Sequence, residues 1–340
     1  FQAEDGIRDC LLSRGLGDVY KRQRQAIQTL PDGSHSYVDY LDNDGIDLDT
    51  PIKIEVSVLV QGYSVHIDFS GTSQQVRGPF NLMPSGAYAA AYFAVHAMTD
   101  PSIPTNGGCF RPIKLILPPN SIVNPEEPAP VNARTSTMKR VAGCITSALG
   151  QFLPDRAPAD AAGEMLLLAF GGERVDGSRY VVGELIASGS GASEGMDGVD
   201  VIETDGTNCM NLPVEALEMD VPIRVHKTEL STGSGGSGKF RGGLGLIREY
   251  EILHGTVVFT HRGERHSHPA RGLMGGEPGG KAYSKIKRRD GKEIVIKSKT
   301  VETLGIGDQI LVQTAGGGGY GCPAERPEIL QRHDLSLIHI

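Results

Sequence analysis

From residue 52 to residue 69 the chain alternates apolar and polar positions along two consecutive runs. Ile52, Ile54, Val56, Val58 and Val60 alternate with Lys53, Glu55 and Ser57; Gln61-Gly62 turns the chain; Val65, Ile67 and Phe69 then alternate with His66, Asp68 and Ser70. A period of two puts every second side chain on one face, so this stretch predicts an antiparallel hairpin with one face in a core. Helical spacing takes over from Pro84 to Met98, and again from Met138 through Val141, Ala142, Ile145, Leu149 and Phe152, where Thr135, Ser136 and Thr137 offer caps. Two core helices are expected there. Further strands are predicted at 113–117, 180–187, 223–230, 246–252, 256–261, 294–296 and 309–313. Because helices do not regularly separate these strands, a doubly wound parallel sheet is set aside. The predicted class is α+β, with mostly antiparallel sheets, a few core helices and Gly-rich loops.

The two ends carry no such pattern. Residues 1–23 (FQAEDGIRDCLLSRGLGDVYKRQ) and 335–340 (LSLIHI) read as translated sequencing adaptor, expected to be foreign to the fold. The native body is then 24–334, long enough for one large domain or two modest ones, with a weak internal boundary at 154–163 and no repeat at a fixed period. The head holds four acids and four bases, so trimming it leaves the net charge at -8. An acidic body argues against nucleic acid as a partner. Outside the head, Cys109, Cys144, Cys209 and Cys322 form no C-x-x-C pair, which predicts reduced thiols in a cytoplasmic chain rather than a disulfide frame or a zinc site. No apolar run reaches the ~18 residues of a membrane span, since His96 interrupts the Ala-rich stretch 87–98. Glycine is overused, at 45 of 340 residues, and clusters where tight turns are expected.

Several strings suggest chemistry. Gly233-Ser-Gly-Gly-Ser-Gly238-Lys239 fits the first seven places of a P-loop, but Phe240 stands where a hydroxyl should hold magnesium, and a strand rather than a helix is expected next. A structural Gly-rich turn is preferred. His66, Asp68 and Ser70 share a strand face, yet residues two apart on a strand are ~6.6 Å apart, too far for a triad. Asp68-Phe-Ser-Gly-Thr-Ser73 still gathers an acid and hydroxyls at a strand end, the setting of a ligand loop or of a plain capped turn. Asp39, Asp42, Asp44, Gly45, Asp47 and Asp49 do not fit an EF-hand, because Tyr40 falls at the first ligand position and Pro51 where the closing Glu belongs. His261, His266 and His268, with Arg262, Arg265 and Pro269 around them, read as a solvated loop in preference to a metal site. Asn208 and Asn211 precede Pro213 and Glu215 at the start of a short helix. Asn106, Arg111 and Arg134 supply amide and guanidinium groups suited to a carboxylate or a polarised carbonyl, or to loop stapling.

Taken in order, DFSGTS (68–73), GPFN (78–81), IPTNGGCFRPI (103–113), NPEEPAPVNAR (124–134), TNCMNLPVEALEMDVP (207–222), SGGSGKFRGGLG (234–245), RGLMGGEPGG (271–280) and GDQILVQTAGGGGYGCPAERP (307–327) resemble the hydantoinase B/oxoprolinase family. Eight motifs span nearly the whole body. The chain departs from the pattern at Asn120, where Gly is usual, and at 193–196, which replaces a more basic stretch. Asn also tolerates positive φ.

The resemblance implies a B-type subunit of an ATP-dependent cyclic amide hydrolase acting on hydantoins or 5-oxoproline. An A-type subunit would bind ATP, which fits a chain that shows no nucleotide site. Related chains in acetone carboxylase imply a carboxylase subunit as an alternative, and a non-catalytic partner-binding fragment is a third. Family members begin well before the position of Arg24, with His- and Asp-bearing motifs. The resemblance therefore implies a truncated piece, inactive alone, whose divalent metal would belong to the preceding segment; no metal ligands are expected in this chain. The site residues it implies are Asp68, Ser70 and Thr72 near the reacting amide, with Asn81, Asn106, Arg111, Arg134, Asn208, Asn211 and Glu215 as polar positioners.

Overall fold

The computed structural model describes Gly15 and residues 17–336. Residues 17–27 are helical and form α1, which places Val19 against Ile103 and Cys109 and lets the Gln23 amide donate to Thr99 Oγ1 at 3.0 Å. Residues 17–23, read from sequence as part of a foreign head, thus lie in a helix docked on the chain. Residues 1–14 and 16 of that head, and 337–340 of the tail, lie outside the described residues.

The alternating hairpin is the middle of a four-stranded sheet, β1 (Gly33–Leu41), β2 (Ile52–Gln61), β3 (Ser64–Asp68) and β4 (Ile113–Ile116), with β4 parallel to β3 and the rest antiparallel. Gly62 turns β2 into β3 at φ +60°, a conformation glycine adopts without steric cost. The inward Ile52, Ile54, Val56, Val58, Val65 and Ile67 pack under α2 (Pro84–Met98) and α4 (Arg134–Gly150). Thr135, Ser136 and Thr137 do not cap α4: Ala133 is its N-cap, and the Thr137 hydroxyl instead donates to the Phe80 carbonyl at 2.5 Å. Between the two long helices lies the single-turn α3 (Gly107–Phe110).

After Ala157 the hydrophobic core changes. Leu166, Phe170, Tyr250, Phe259, Ile286 and Ile310 belong to a second cluster shared by two further sheets. One has the order β12-β9-β5-β6, from β5 (Leu166–Glu173), β6 (Arg179–Ile186), β9 (Val257–Arg262) and β12 (Lys299–Leu304). The other is β11-β10-β13-β8-β7, from β7 (Ile223–Leu230), β8 (Leu246–Ile252), β10 (Tyr283–Lys287), β11 (Glu293–Val295) and β13 (Gln309–Gln313). All pairings in both are antiparallel, so the fold is α+β as expected. Short helices α5 (Val214–Asp220) and α6 (Glu328–Ser336) complete it.

The glycines at 316–319 do something other than make turns. Residues 316–319 run through the middle of a bundle of extended segments: Gly317 N donates to Gly243 O, Gly318 N to Asp160 O, Gly319 N to Glu277 O, and Gly316 N to Gly280 O. A Cβ on Gly316, Gly317, Gly318 or Gly319 would stand 1.8, 1.8, 2.0 or 2.2 Å from the carbonyl oxygen of Ser234, Ser190, Arg271 or Ser237. Backbone meets backbone on every side, and only glycine fits. The P-loop-like 233–239 stretch is part of this bundle and no helix follows it.

Candidate functional site

Where the two cores meet, charge is buried. Strand β1 turns Asp39 inward, and α4 carries the adjacent Lys139 and Arg140; all three side chains are buried. Arg140 Nη1 donates to Asp39 Oδ2 at 2.7 Å, and Arg265 Nη1, from the loop after β9, lies 3.0 Å from the same oxygen. Burial pushes the Asp39 carboxyl up, but the charges of Arg140 and Arg265 and the Tyr40 amide outweigh it and hold its pKa at about 2. Lys139 Nζ donates to Glu203 Oε2 at 2.9 Å, Thr204 O at 2.8 Å and Thr207 Oγ1 at 2.7 Å.

Asp39, Lys139, Arg140, Thr204 and Arg265 wall a cavity of about 240 Å3 together with Asp160 and Asp205. Asp160 accepts from Tyr37 at 2.5 Å and Ser147 at 2.7 Å, while burial, the Asp160 charge and its hydrogen bond raise the Tyr37 hydroxyl far above its ordinary value. Burial also raises the Asp205 carboxyl, which favours its protonated form. A larger open depression of about 760 Å3 lies on the outer face of the β5–β6–β9 sheet, with Glu173, Arg174, Arg179 and His254 among the residues along it. The smaller cavity holds convergent acids and bases and is the candidate site.

Behind the cavity a second set of acids fastens the loops. Glu264 accepts from Asp42 N at 2.9 Å and from Lys299 Nζ at 2.6 Å; Glu164 accepts from Glu264 N at 2.8 Å. Burial raises both glutamates, Glu164 to about 8. The histidines expected in a solvated loop are mostly inside. His261 is buried on β9, with Nδ1 3.0 Å from Ser298 O and Nε2 2.9 Å from Ser284 Oγ, and burial lowers its pKa to about 3. His266 is lowered by burial as well. Among the described residues, no three His, Cys, Asp or Glu side chains are disposed to hold a metal.

None of the ten residues singled out from sequence lines this cavity. Asp68 Oδ1 accepts from Ser70 N at 2.8 Å and Ser70 Oγ at 2.6 Å, and Thr72 Oγ1 donates to Glu55 O at 2.9 Å and accepts from Glu55 N at 3.1 Å. Asn81 is fully buried, its amide donating to Val76 O, Gly78 O and Pro130 O. Asn106 caps α3 through Gly108 N at 2.8 Å. Arg111 and Arg134 are exposed at the end of α3 and the start of α4. Asn208 and Asn211 do not cap α5, whose N-cap is Pro213, and Glu215 is exposed in its first turn. The string that begins at Thr207 nevertheless reaches the cavity wall, because its first hydroxyl holds Lys139. Charged residues at 139 and 140, on a helix whose spacing buries 141, 144, 145 and 148, were the available sequence signal.

Residues 15–323 match the family described as Hydantoinase B/oxoprolinase. The chain belongs to this family. The match begins nine residues ahead of Arg24, inside the stretch read as foreign. A 5-oxoprolinase of Dictyostelium discoideum is 33% identical over 320 residues, covering 94% of this chain and 23% of that protein. The caprolactamase subunit beta of Pseudomonas jessenii is 31% identical over 342 residues, covering 95% of this chain and 57% of that protein. The crystal structure of the ATP-dependent caprolactamase from the same organism superposes with a TM-score of 0.86 at 27% identity, covering 98% of this chain and 59% of that one. A nucleotide-free acetone carboxylase shares the fold, with a TM-score of 0.81 at 18% identity over 93% of this chain and 49% of that one. The chain thus spans little more than half the length of such relatives, or less.

Proposed function

We propose that this chain is the B-type component of an ATP-dependent cyclic amide hydrolase, acting with an A-type ATP-binding partner on a hydantoin, 5-oxoproline or a related lactam in the cytoplasm. The observation that carries the reading is the family match along residues 15–323. The relatives named as a 5-oxoprolinase and an ATP-dependent caprolactamase support ring-amide chemistry. The described residues do not themselves fit ATP or a metal: the 233–239 loop opens no helix, and no metal-binding group is present among them. What this chain contributes is a polar cavity, where Asp160 can accept a ring N–H. Free Cys109, Cys144, Cys209 and Cys322 support a reducing compartment.

The test is to mix the complete parent protein with its A-type partner and follow ATP hydrolysis and ring opening, offering 5-oxoproline, hydantoins, caprolactam, and acetone with bicarbonate in turn. ATP-coupled ring opening is the expected result. Turnover only with acetone and bicarbonate would transfer the protein to carboxylation, and no turnover at all would leave the partner-binding fragment as the reading.

A further inference from the structure

The two sheets that share the second core have outer faces of opposite character. On the β11-β10-β13-β8-β7 sheet, Glu249, Glu251, Lys285, Lys287 and Glu293 point away from the core, the polar face that an antiparallel sheet turns to water. The outer face of β12-β9-β5-β6 differs. Two adjacent rows cross its four strands in register: Thr303, Val258, Gly171 and Val181, then Val301, Thr260, Ala169 and Gly183. None of these eight residues carries a charge. Val181, Val258 and Val301 stand 83%, 50% and 67% exposed on it. A contiguous uncharged patch of this kind marks a contact surface.

Charges lie only at the two ends of this face. At one end Glu173 and Arg179 are opposite in register but form no ion pair, and neither side chain has a hydrogen bond among the described residues. Beyond them, Arg174 is held by Asp220 O at 3.1 Å and Asp176 accepts from Ser178 Oγ at 2.7 Å, with His254 in the turn before β9. At the other end Leu167, Arg262 and Lys299 form a row. Lys299 is buried and held by Glu264 at 2.6 Å. Arg262 has no hydrogen bond among the described residues, and only its Nε is enclosed, so both Nη atoms stay open to the face. An acid without a partner thus stands at one end and a base without a partner at the other.

We propose that a second copy of this chain packs face to face on this sheet, related by a two-fold axis that lies in the interface and runs across the strands. Such an axis exchanges the two uncharged rows. Val181, the most exposed of the three valines, then stands over the partner's Gly183, where no side chain opposes it, and Val258 stands over the partner's Thr260. The same exchange lays Glu173 over the partner's Leu167, whose neighbour in register is the partner's Arg262, and does so twice. An axis along the strands would instead bring like ends together, Glu173 to Glu173 and Arg262 to Arg262. Arg179, on the edge strand, keeps to the rim in water. Four strands at about 4.8 Å and six residues at about 3.4 Å give a face near 19 by 20 Å, small for a stable interface, so a dissociation constant of roughly 10–100 µM is expected.

The experiment is analytical ultracentrifugation of the intact chain from about 1 to 300 µM, a range that brackets the expected constant. A reversible monomer–dimer equilibrium is expected. Val181→Glu, at a position that is already open to water, is expected to weaken the dimer at least about tenfold with Tm within about 1 °C of the parent. Glu173→Arg and Arg262→Glu are each expected to weaken it about fivefold, and an equimolar mixture of the two to recover it, because each then finds its opposite charge only in the other. A monomer throughout the range would overturn the proposal and leave the face to a different protein. A dimer that Val181→Glu leaves intact would overturn it as well, since the copies would then meet elsewhere. No recovery in the mixture, with both variants melting as the parent does, would overturn the stated orientation.

Discussion

A β-carbon on Gly317 would lie 1.8 Å from the carbonyl oxygen of Ser190, so these two residues pack together only while position 317 has no side chain. The obstructing atom is backbone, held in turn because Ser190 O accepts from Gly243 N at 2.8 Å. Neither segment can move aside alone. Gly317→Ala is expected to destabilise the chain by about 3 kcal/mol, a fall of roughly 5 °C or more in Tm. Gly107→Ala, where an added Cβ meets nothing within 4 Å, is the control and should leave Tm within about 1 °C. Thermal melts of the two variants side by side decide the matter, and equal Tm values would mean that the bundle relaxes around a methyl group.

Glu164 predicts a pH dependence. Burial raises this carboxyl from its ordinary 4.5 to about 8, against the hydrogen bond it accepts from Glu264 N. A carboxyl raised on folding contributes stability that is complete below its unfolded value and is lost as pH rises through the folded one. Stability should therefore decline between about pH 4.5 and 8. In Glu164→Gln the side-chain oxygen can still accept from Glu264 N, but nothing titrates, so the variant should start below the parent at pH 5 and lose less by pH 8.5. Asp205 is also raised by burial, but it is common to both proteins and cancels in the comparison. Parallel Tm curves across that range would show that Glu164 does not carry the effect.

Asp68 separates a turn from a reacting group. Its Oδ1 accepts from both the backbone and the hydroxyl of Ser70, two bonds that close the turn after β3, and no hydrogen bond or ion pair ties Asp68, Ser70 or Thr72 to the other residues singled out from sequence. Asp68→Ala is expected to cost about 1 kcal/mol in stability, the scale of a lost turn bond, and to leave kcat of the complete enzyme pair within about twofold. A hundredfold fall in kcat with Tm unchanged would instead assign that carboxylate to the chemistry.

The parts of the fold that sequence revealed are those where one face is apolar and the other is not. The β2–β3 hairpin and the Pro84–Met98 helix follow from alternation and helical spacing alone, and β7, β8 and β13 lie where expected. Strand β1 was invisible because its inward positions include Asp39, a charge where the pattern requires an apolar residue. Strand β5 was missed for the opposite reason: Leu-Leu-Leu-Ala-Phe shows no alternation, although only Leu166, Leu168 and Phe170 are buried. The glycine bundle could be counted but not placed, since close backbone approach between 190, 234, 243, 271 and 317 leaves no trace except missing side chains. The candidate cavity was hidden similarly. Asp39, Arg140 and Arg265 come from three distant parts of the chain, and their pairing is a consequence of how the two cores meet.

That meeting can be tested through Lys139 and Glu203. Their ion pair is 2.9 Å long, with 0% and 2% of the two side chains exposed, and Lys139 Nζ also holds Thr204 O and Thr207 Oγ1. Removing one partner of a buried pair leaves the other charged in a place that cannot hydrate it, which typically costs 3–5 kcal/mol, whereas replacing both by apolar groups is often near neutral. Lys139→Met should therefore destabilise by roughly that amount, and Lys139→Met with Glu203→Leu should recover most of it. The double variant is expected to melt near the parent, measured by thermal denaturation. Additive losses in stability would show that the two charges act independently.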